Sequence, residues 1–461
     1  MSSAPSDEST PSSSHPPESP HPEQQHDPYA ALRVPSYRRY LSGNFLSLLG
    51  MQMQGVAVGW EIWHRTNSTQ QIGLVALLQF LPVLILGIPA GQLADRFPRN
   101  RILMSSLTAL SLGSLGLAWV SWTRAPLPWM YAFLLLNGAS KALSQPAKGA
   151  MLPLLVPKNK FTNAVTWNAT VFELSSVIGP AFAGVLLAAF ELPAMIYLAE
   201  GGCALIFLVL LFSVQMRPQA AVTHAASWRD LLGGLGFVWN HKLILGAISL
   251  DLFAVLLGGA VALYPVYADA ILEVGPTGLG WMRAMPAVGA LSMSFIIAHL
   301  PPMRHAGKTL LWCVAGFGIA TAVFGLSRNI WLSLAALFMT GVFDTVSVVI
   351  RHTLIQTLTP DQMRGRVAAV NGIFIGASNE LGGSESGYLA HAFERSDDIA
   401  FGPTVSVVAG GFGTLLVVGL NAWLFPGVRN YGRLDAGRDE PLAPAVETSQ
   451  SSIDEERIPE N

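Results

Sequence analysis

The sequence predicts an all-α polytopic membrane protein in which twelve transmembrane helices form two pseudo-symmetric halves of six. Three observations predict this fold: the composition, the length of the apolar runs and the distribution of the basic residues. Of the 461 residues, 51% are hydrophobic and 12% are charged, whereas soluble domains carry about 25% charged residues. The net charge of −2 also lacks the basic excess that is typical of nucleic-acid-binding proteins.

The apolar runs are long enough to be membrane helices. A helix needs about 20 residues to cross the hydrocarbon core of a bilayer, and the segments 66–94 and 399–428 contain no charged residue. A transmembrane β-barrel is excluded because the runs do not alternate polar with apolar residues. In chain order, we predict spans near residues 40–63, 69–92, 102–122, 126–148, 161–190, 193–213, 241–268, 277–299, 308–327, 329–351, 366–392 and 402–425.

The basic residues predict the orientation of these spans. With the N-terminus inside the cell, most of the basic residues fall in cytoplasmic segments. The outer loops then hold only Arg65, Arg124, Arg328 and Arg395. Because cytoplasmic loops carry an excess of Lys and Arg, this distribution predicts a multi-pass protein of the cell (inner or plasma) membrane with both termini in the cytoplasm.

Polar segments divide the chain into regions. Residues 1–35 and 429–461 are polar and are predicted to be disordered cytoplasmic tails. The longest connection between spans, 214–240, is predicted to be a cytoplasmic linker between six-helix halves at 36–213 and 241–428.

The two halves are related by an internal repeat. A shift of 203 residues superimposes recurring Gly, Pro and Asn residues and places a basic residue, Lys148, on another, Arg351. Parallel repeats of six spans are a known transporter architecture, with the substrate site between the halves. The aligned pairs include Gly138 with Gly341, Pro157 with Pro360, Asn168 with Asn371, Gly179 with Gly382 and Gly184 with Gly387.

The loop after the second predicted span carries a recognisable motif, GQLADRFPRNR, from Gly91 to Arg101. It resembles the signature loop G-x-L-a-D-r-x-G-r-r of the major facilitator superfamily, with Pro98 where Gly is usual and Asn100 where a basic residue is common. The resemblance implies a loop that latches the two halves, whereas the alternative is a basic loop with a purely topological role. The gating residues that it implies are Gly91, Asp95, Arg96, Arg99 and Arg101.

Other segments resemble one branch of that superfamily. The predicted kink of Gly179, Pro180 and Gly184 in the fifth span is similar to an element of exporter branches, although an importer could use the same kink for packing. The stretches 249–262 and 359–387 resemble the enterobactin-exporter-like and macrolide-efflux-like branch. This resemblance implies proton-driven export and leaves the substrate open.

Ionisable residues inside the predicted spans are the candidates for function. At the bilayer centre such a residue raises the free energy of membrane insertion by about 2.5–3.5 kcal/mol on insertion scales. It therefore usually has a charged partner or a function. The resemblance implies that the first, fourth, seventh and tenth spans line a central cavity. The candidates for proton coupling or for the cavity are Glu61, Lys141, Glu173, Asp251, Arg283 and Asp344.

Asp251 is the leading candidate for proton coupling, with Arg283 or Lys141 as its counter-charge. Burial favours the neutral carboxyl and a nearby cation favours the carboxylate, so the two together make a proton-sensitive site. Under the 203-residue shift Lys141 aligns with Asp344, which suggests a pair across the cavity. The alternatives are a permanent structural ion pair for Asp251 and an exposed rim position for Glu61.

The expected function is therefore that of a secondary transporter and not of an enzyme. The sequence has no phosphate-binding G-x-x-x-x-G-K-[ST] loop and no catalytic triad or metal-ligand pattern, and its two cysteines define no disulfide framework. We expect no cofactor, and as partners a small amphipathic substrate, protons and the lipid bilayer, with the chain acting as a monomer. The alternatives are a nutrient or organic-anion symporter and, more remotely, a receptor or scaffold that does not transport.

Overall fold

The computed structural model describes residues 27–217, 228–301 and 303–432. Most of the two predicted tails, 1–26 and 433–461, and the linker segment 218–227 lie outside the described residues.

Six long helices form the first half of the bundle and match the first six predicted spans. Most of them exceed the roughly 20 residues that a membrane crossing requires, and short turns join consecutive helices. They are α1 Pro35–Thr66, α2 Thr69–Arg96, α3 Arg99–Thr123, α4 Leu127–Leu155, α5 Phe161–Phe190 and α6 Ala194–Phe212.

The second half repeats this arrangement with one interruption. A short helix, α7 Trp228–Asn240, occupies part of the predicted linker and packs on α13, defined below. The predicted seventh span is α8 Lys242–Gly258, followed by a 3₁₀ turn Ala260–Leu263, a short helix α9 Tyr264–Val266 and a π-helical turn Tyr267–Ile271. The remaining helices are α10 Gly275–Ala298, α11 Ala306–Leu326, α12 Ile330–Leu358, α13 Asp361–Ala392, α14 Phe401–Leu424 and α15 Pro426–Arg429.

Not every long helix is equally apolar. Within the described residues, nine segments have the length and composition of a membrane span. The other three long helices, α1, α4 and α13, match predicted spans but are more polar. Several of their polar residues are buried between helices, among them Gln54, Asn137 and Asn371. The architecture is thus the predicted helical membrane bundle.

The turn before α1 is structured, whereas the sequence places it in the N-terminal tail. The carbonyl of Pro28 accepts hydrogen bonds from Asn163 Nδ2 at 2.7 Å and from Trp167 Nε1 at 3.0 Å. The amide of Ala31, which is fully buried, donates to Asn163 Oδ1 at 2.9 Å. Residues 27–34 therefore pack on α5 and belong to the first half.

The two halves touch at one end of the bundle, which we call the far end. At the far end α1 finishes and α2 begins. The opposite end of the bundle, where α1 and α13 begin, is called the near end. A Cβ added to Gly184 on α5 would lie 3.0 Å from Gly280 Cα on α10, and one added to Gly73 on α2 would lie 3.2 Å from Gly387 Cα on α13. One buried apolar cluster at the far end also joins both halves, with Trp63 from the first and Tyr264, among others, from the second.

The halves separate towards the near end. Gly91 lies 18 residues after Gly73, which is five turns of a helix with 3.6 residues per turn, so both face the same side of α2. Gly376 lies 11 residues before Gly387, or about three turns along the same face of α13. A Cβ added to Gly91 or Gly376 would meet no heavy atom within 4 Å. The facing helices α2 and α13 therefore diverge, and the space between the halves opens at the near end.

Candidate functional site

A cavity of about 820 Å³ lies between the two halves, and helices from both halves line it. The far-end contacts close it on one side. Among the described residues, three cationic and three acidic side chains line its wall, so the charges balance. They are Lys141, Arg283, Arg351, Asp251, Asp344 and Glu380.

Asp251 on α8 forms an ion pair with Arg351 on α12. Both residues are buried, with 8% and 2% of their surface exposed. The expectation that Arg283 or Lys141 is the counter-charge is wrong, because α12 continues to Leu358 and holds Arg351 inside the bundle. Removing one partner of such a buried pair leaves an uncompensated charge in a medium of low dielectric constant.

Asp344 lies two turns before Arg351 on α12 and lines the same cavity. Residues seven apart share one face of a helix, so Arg351 lies between two acidic positions, Asp251 across the helix interface and Asp344 on its own helix. His352, the next residue along α12, also lines the cavity. This group of charges is the most concentrated in the cavity wall.

Lys141 and Arg283 approach the cavity from opposite halves. Lys141 Nζ donates to Gln79 Oε1 on α2 at 3.4 Å, so it does not form the suggested pair with Asp344. Arg283 on α10 reaches across to α1, where a Cβ added to Gly55 would lie 3.6 Å from Arg283 Cζ. Gly55 thus leaves room for the guanidinium between the halves.

Glu61 and Glu173 are not among the residues that line the cavity. Glu61 is buried and pairs with Arg65 at 3.0 Å, one turn further along α1. Arg65 also donates to the carbonyls of Val120 and Ala125 at 3.0 and 3.1 Å. Glu61 therefore takes part in helix packing inside the first half and is not the exposed rim residue that the sequence allowed. Glu173 is partly buried on α5.

The predicted kink of α5 lies at helix interfaces. A Cβ added to Gly179 would lie 2.7 Å from Gln52 Cβ on α1, and one added to Gly184 would lie 2.7 Å from the Pro276 carbonyl oxygen on α10. Pro180 is buried beside them. The element packs α5 against both halves at once, which explains why small residues stand there.

The predicted gating loop joins α2 to α3 at the near end. Arg99 Nη1 donates to the carbonyl of Ala150 on α4 at 2.7 Å, a contact within the first half. Arg96 and Arg101 are exposed, Gly91 faces open space, and the side chain of Asp95 lies outside the described part of the structure. The described contacts of this loop therefore do not bridge the two halves in this conformation.

A polar contact bridges the halves at the far end. Trp63 Nε1 on α1 donates to Asp269 Oδ2 in the π-helical turn at 2.8 Å, and His64 Nε2 lies 3.5 Å from Asp269 Oδ1. Nothing in the sequence singled out this contact. Arg351, at the end of the predicted span 329–351, was also not among the candidates, although its alignment with Lys148 at the end of another predicted span was a usable signal.

Comparison with known proteins supports this architecture. A family model described as a transmembrane secretion effector matches residues 26–413. The chain is 27% identical to the enterobactin exporter EntS of Shigella boydii serotype 18 and to that of Escherichia coli O139:H28, in each case over 83% of this chain and 90% of the relative.

Solved structures share the fold at lower sequence identity. A bacterial homologue of the human lysosomal transporter Spinster, in an inward-facing and occupied conformation, superimposes with a TM-score of 0.67 and 15% identity, over 88% of this chain and 98% of that one. The nucleoside transporter NupG gives a TM-score of 0.61 and 14% identity, over 86% of this chain and 99% of that one. The chain therefore belongs to the transmembrane secretion effector family of the major facilitator superfamily, and it is a multi-pass secondary transporter and not an enzyme.

Proposed function

We propose that this protein exports an amphipathic small molecule, such as a drug, a macrolide or a siderophore, in exchange for protons. The observation that carries the proposal is the buried Asp251–Arg351 pair in the wall of a cavity that is closed at one end. The relatives named as enterobactin exporters support the direction of transport. We also propose that the near end and both tails are cytoplasmic and that the protein lies in the inner or plasma membrane, as the basic residues indicate.

The pair supplies the chemistry that proton coupling needs. A proton that binds Asp251 neutralises the carboxylate and releases Arg351 from its partner. The freed guanidinium is then attracted to Asp344, two turns away on the same helix, because charges interact strongly in a medium of low dielectric constant. Loss of the proton restores the first pair. Asp251 and Arg351 thus form an element with two arrangements that a proton selects.

Alternating access links this element to transport. The cavity opens at the near end in the present conformation, where a substrate would enter from the cytoplasm. Rocking of the two halves about the cavity would close the near-end gap and break the far-end contacts. The substrate then leaves to the far side and a proton enters from that side. The protonated protein returns to the conformation that is open at the near end.

The test is transport in proteoliposomes with an imposed pH gradient, using a panel of amphipathic drugs, macrolides and siderophores. We expect wild type to move at least one of these compounds against its gradient and to dissipate the pH gradient as it does so. Asp251→Asn should lose the dependence on the pH gradient, because the amide cannot bind the proton.

Glu191→Gln is the control, since it removes an exposed carboxylate at the end of α5 that is not among the residues lining the cavity. It should transport as wild type does. Unchanged proton movement in Asp251→Asn would contradict the assignment of Asp251. Proton-driven uptake of a small hydrophilic nutrient, with no efflux of any amphipathic compound, would instead indicate a symporter.

A further inference from the structure

Two of the three cations that line the cavity have no acidic partner in contact. Arg351 is paired with Asp251, whereas within the described residues neither Lys141 nor Arg283 takes part in an ion pair. The only hydrogen bond of the Lys141 ammonium group there is the 3.4 Å contact with the neutral amide of Gln79. The Nε atom of Arg283 is buried and has no hydrogen-bond partner.

Leaving such groups without partners is costly in a membrane protein. A buried polar group without a hydrogen bond loses the energy of its hydration, and a cation inside the bilayer usually marks a pathway or a ligand site. Arg65, which lies outside the cavity, shows the usual solution, since it pairs with Glu61 at 3.0 Å. Lys141 and Arg283 have no such acidic partner within the described residues, and both line the cavity.

The two cations come from opposite halves. Lys141 projects from α4 of the first half and Arg283 from α10 of the second, where it reaches α1 at Gly55. Glu380 on α13 lines the same cavity, and within the described residues it forms no ion pair with either cation. An anionic group between them would meet two cationic donors, and charge-assisted hydrogen bonds of this kind are about twice as strong as neutral ones.

The rest of the wall fits an amphipathic ligand. The partly exposed aromatic ring of Phe317 lines the cavity, and so do the amides of Gln52 and Gln145, whereas Phe324 and Tyr264 are buried behind the wall, where they pack on each other. Apolar walls with a few placed polar groups are typical of small-molecule sites.

Resting on the proposed function, we propose that Lys141 and Arg283 form an anion-binding subsite that selects organic anions as the transported class. The ligand is an amphipathic molecule with a carboxylate group, whose anionic end lies between the two cations and whose aromatic part contacts Phe317. Because the cations belong to different halves, the bound anion also attracts the halves to each other.

The experiment is equilibrium binding to the full-length protein in nanodiscs, with two probes that differ by one charge: the aromatic acid N-benzoylphenylalanine and its methyl ester. We expect wild type to bind the acid at least tenfold more tightly than the ester. Lys141→Gln and Arg283→Gln should each weaken binding of the acid by about tenfold or more. Neither variant should change binding of the ester. Unchanged binding of the ester would report that the cavity remains folded.

Lys148→Gln is the matched control. Lys148 lies on the same helix as Lys141 but contacts the ring of Phe207, 5.7 Å from its centroid, and is not among the residues that line the cavity. Its removal should leave the acid-to-ester ratio unchanged.

The outcomes separate the subsite from the proposed function. Equal binding of acid and ester by wild type, or an equal loss of both in the variants, would overturn the subsite, as would a preference for the cationic dye ethidium. Proton-coupled efflux in proteoliposomes would survive that result. Selective anion binding without any proton movement would instead support the subsite and contradict proton-coupled export.

Discussion

At the residue scale, the buried pair of Asp251 and Arg351 dominates the cavity. Each side chain is almost fully removed from solvent, so each depends on the other for compensation of its charge. Desolvation and mutual attraction nearly cancel in such pairs, whereas removing one partner is strongly destabilising. We therefore expect a single substitution in the pair to destabilise the protein strongly, and neutralisation of both residues together to destabilise it much less.

We expect Arg351→Gln to lower the free energy of unfolding by about 3–5 kcal/mol, because it leaves the Asp251 carboxylate buried without a partner. The double variant Asp251→Asn/Arg351→Gln should recover most of this loss. Arg101→Gln, an exposed control at the near end, should change stability by at most about 0.5 kcal/mol. Unfolding in detergent micelles measures all three, and a double variant as unstable as Arg351→Gln would contradict a simple charge pair.

The sequence could predict one member of this pair and not the other. An aspartate in an otherwise apolar span stands out from composition alone, which identified Asp251. Its partner depends on how α8 and α12 rotate and slide against each other, and no pattern within either helix carries that information. The same limit applies to Glu61, whose burial depends on neighbouring helices as well as on α1.

At the element scale, small residues decide where the halves can meet. On α5 and α10, Gly184 and Gly280 allow backbone contact at the far end, and on α2 and α13, Gly73 and Gly387 do the same. At the near-end positions Gly91 and Gly376 of α2 and α13, an added Cβ would meet no heavy atom within 4 Å. Glycines on both of the facing helices permit close packing at either end of the bundle. This suits helices whose near ends and far ends must come into contact alternately.

We expect Gly184→Leu to separate α5 from α10 and to open the far end, because even a Cβ there would lie 2.7 Å from the Pro276 carbonyl oxygen. The readout is labelling of Ala76→Cys in the cavity wall by a membrane-impermeant maleimide from the far side. The background replaces the free cysteines Cys203 and Cys313 with serine. Labelling should increase several-fold.

Gly202→Leu is the control, since a Cβ at Gly202 on α6 would meet no atom within 4 Å. It should leave labelling of Ala76→Cys unchanged. Equal labelling in Gly184→Leu and in the Gly202→Leu control would show that the α5–α10 contact does not close the cavity.

The order of the helices followed from the sequence, whereas the break in the seventh span did not. Apolar runs predict spans because the bilayer requires a fixed length of helix. The 3₁₀ and π-helical turns after Gly258 replace regular helix without a change in hydropathy, so a hydropathy pattern passes over them. Their consequence is local, since they bring Asp269 to Trp63 across the far end.

At the scale of the whole molecule, two similar halves enclose one cavity, and the contacts between them that the described residues show lie at the far end. The far end is held by glycine contacts, by an apolar cluster and by the hydrogen bond from Trp63 to Asp269. The near end is open between α2 and α13. We expect these two conditions to exchange when a substrate occupies the cavity, so that each end opens only while the other is closed.

Two spin-label distances test this exchange, measured by electron–electron double resonance in nanodiscs with and without a transported compound. The near-end pair is Phe97→Cys with Gln362→Cys and the far-end pair is Thr123→Cys with Ser396→Cys, all at exposed positions. Alternating access predicts that the substrate shortens the near-end distance and lengthens the far-end distance together. Distances that stay fixed, or that change in the same direction, would contradict it.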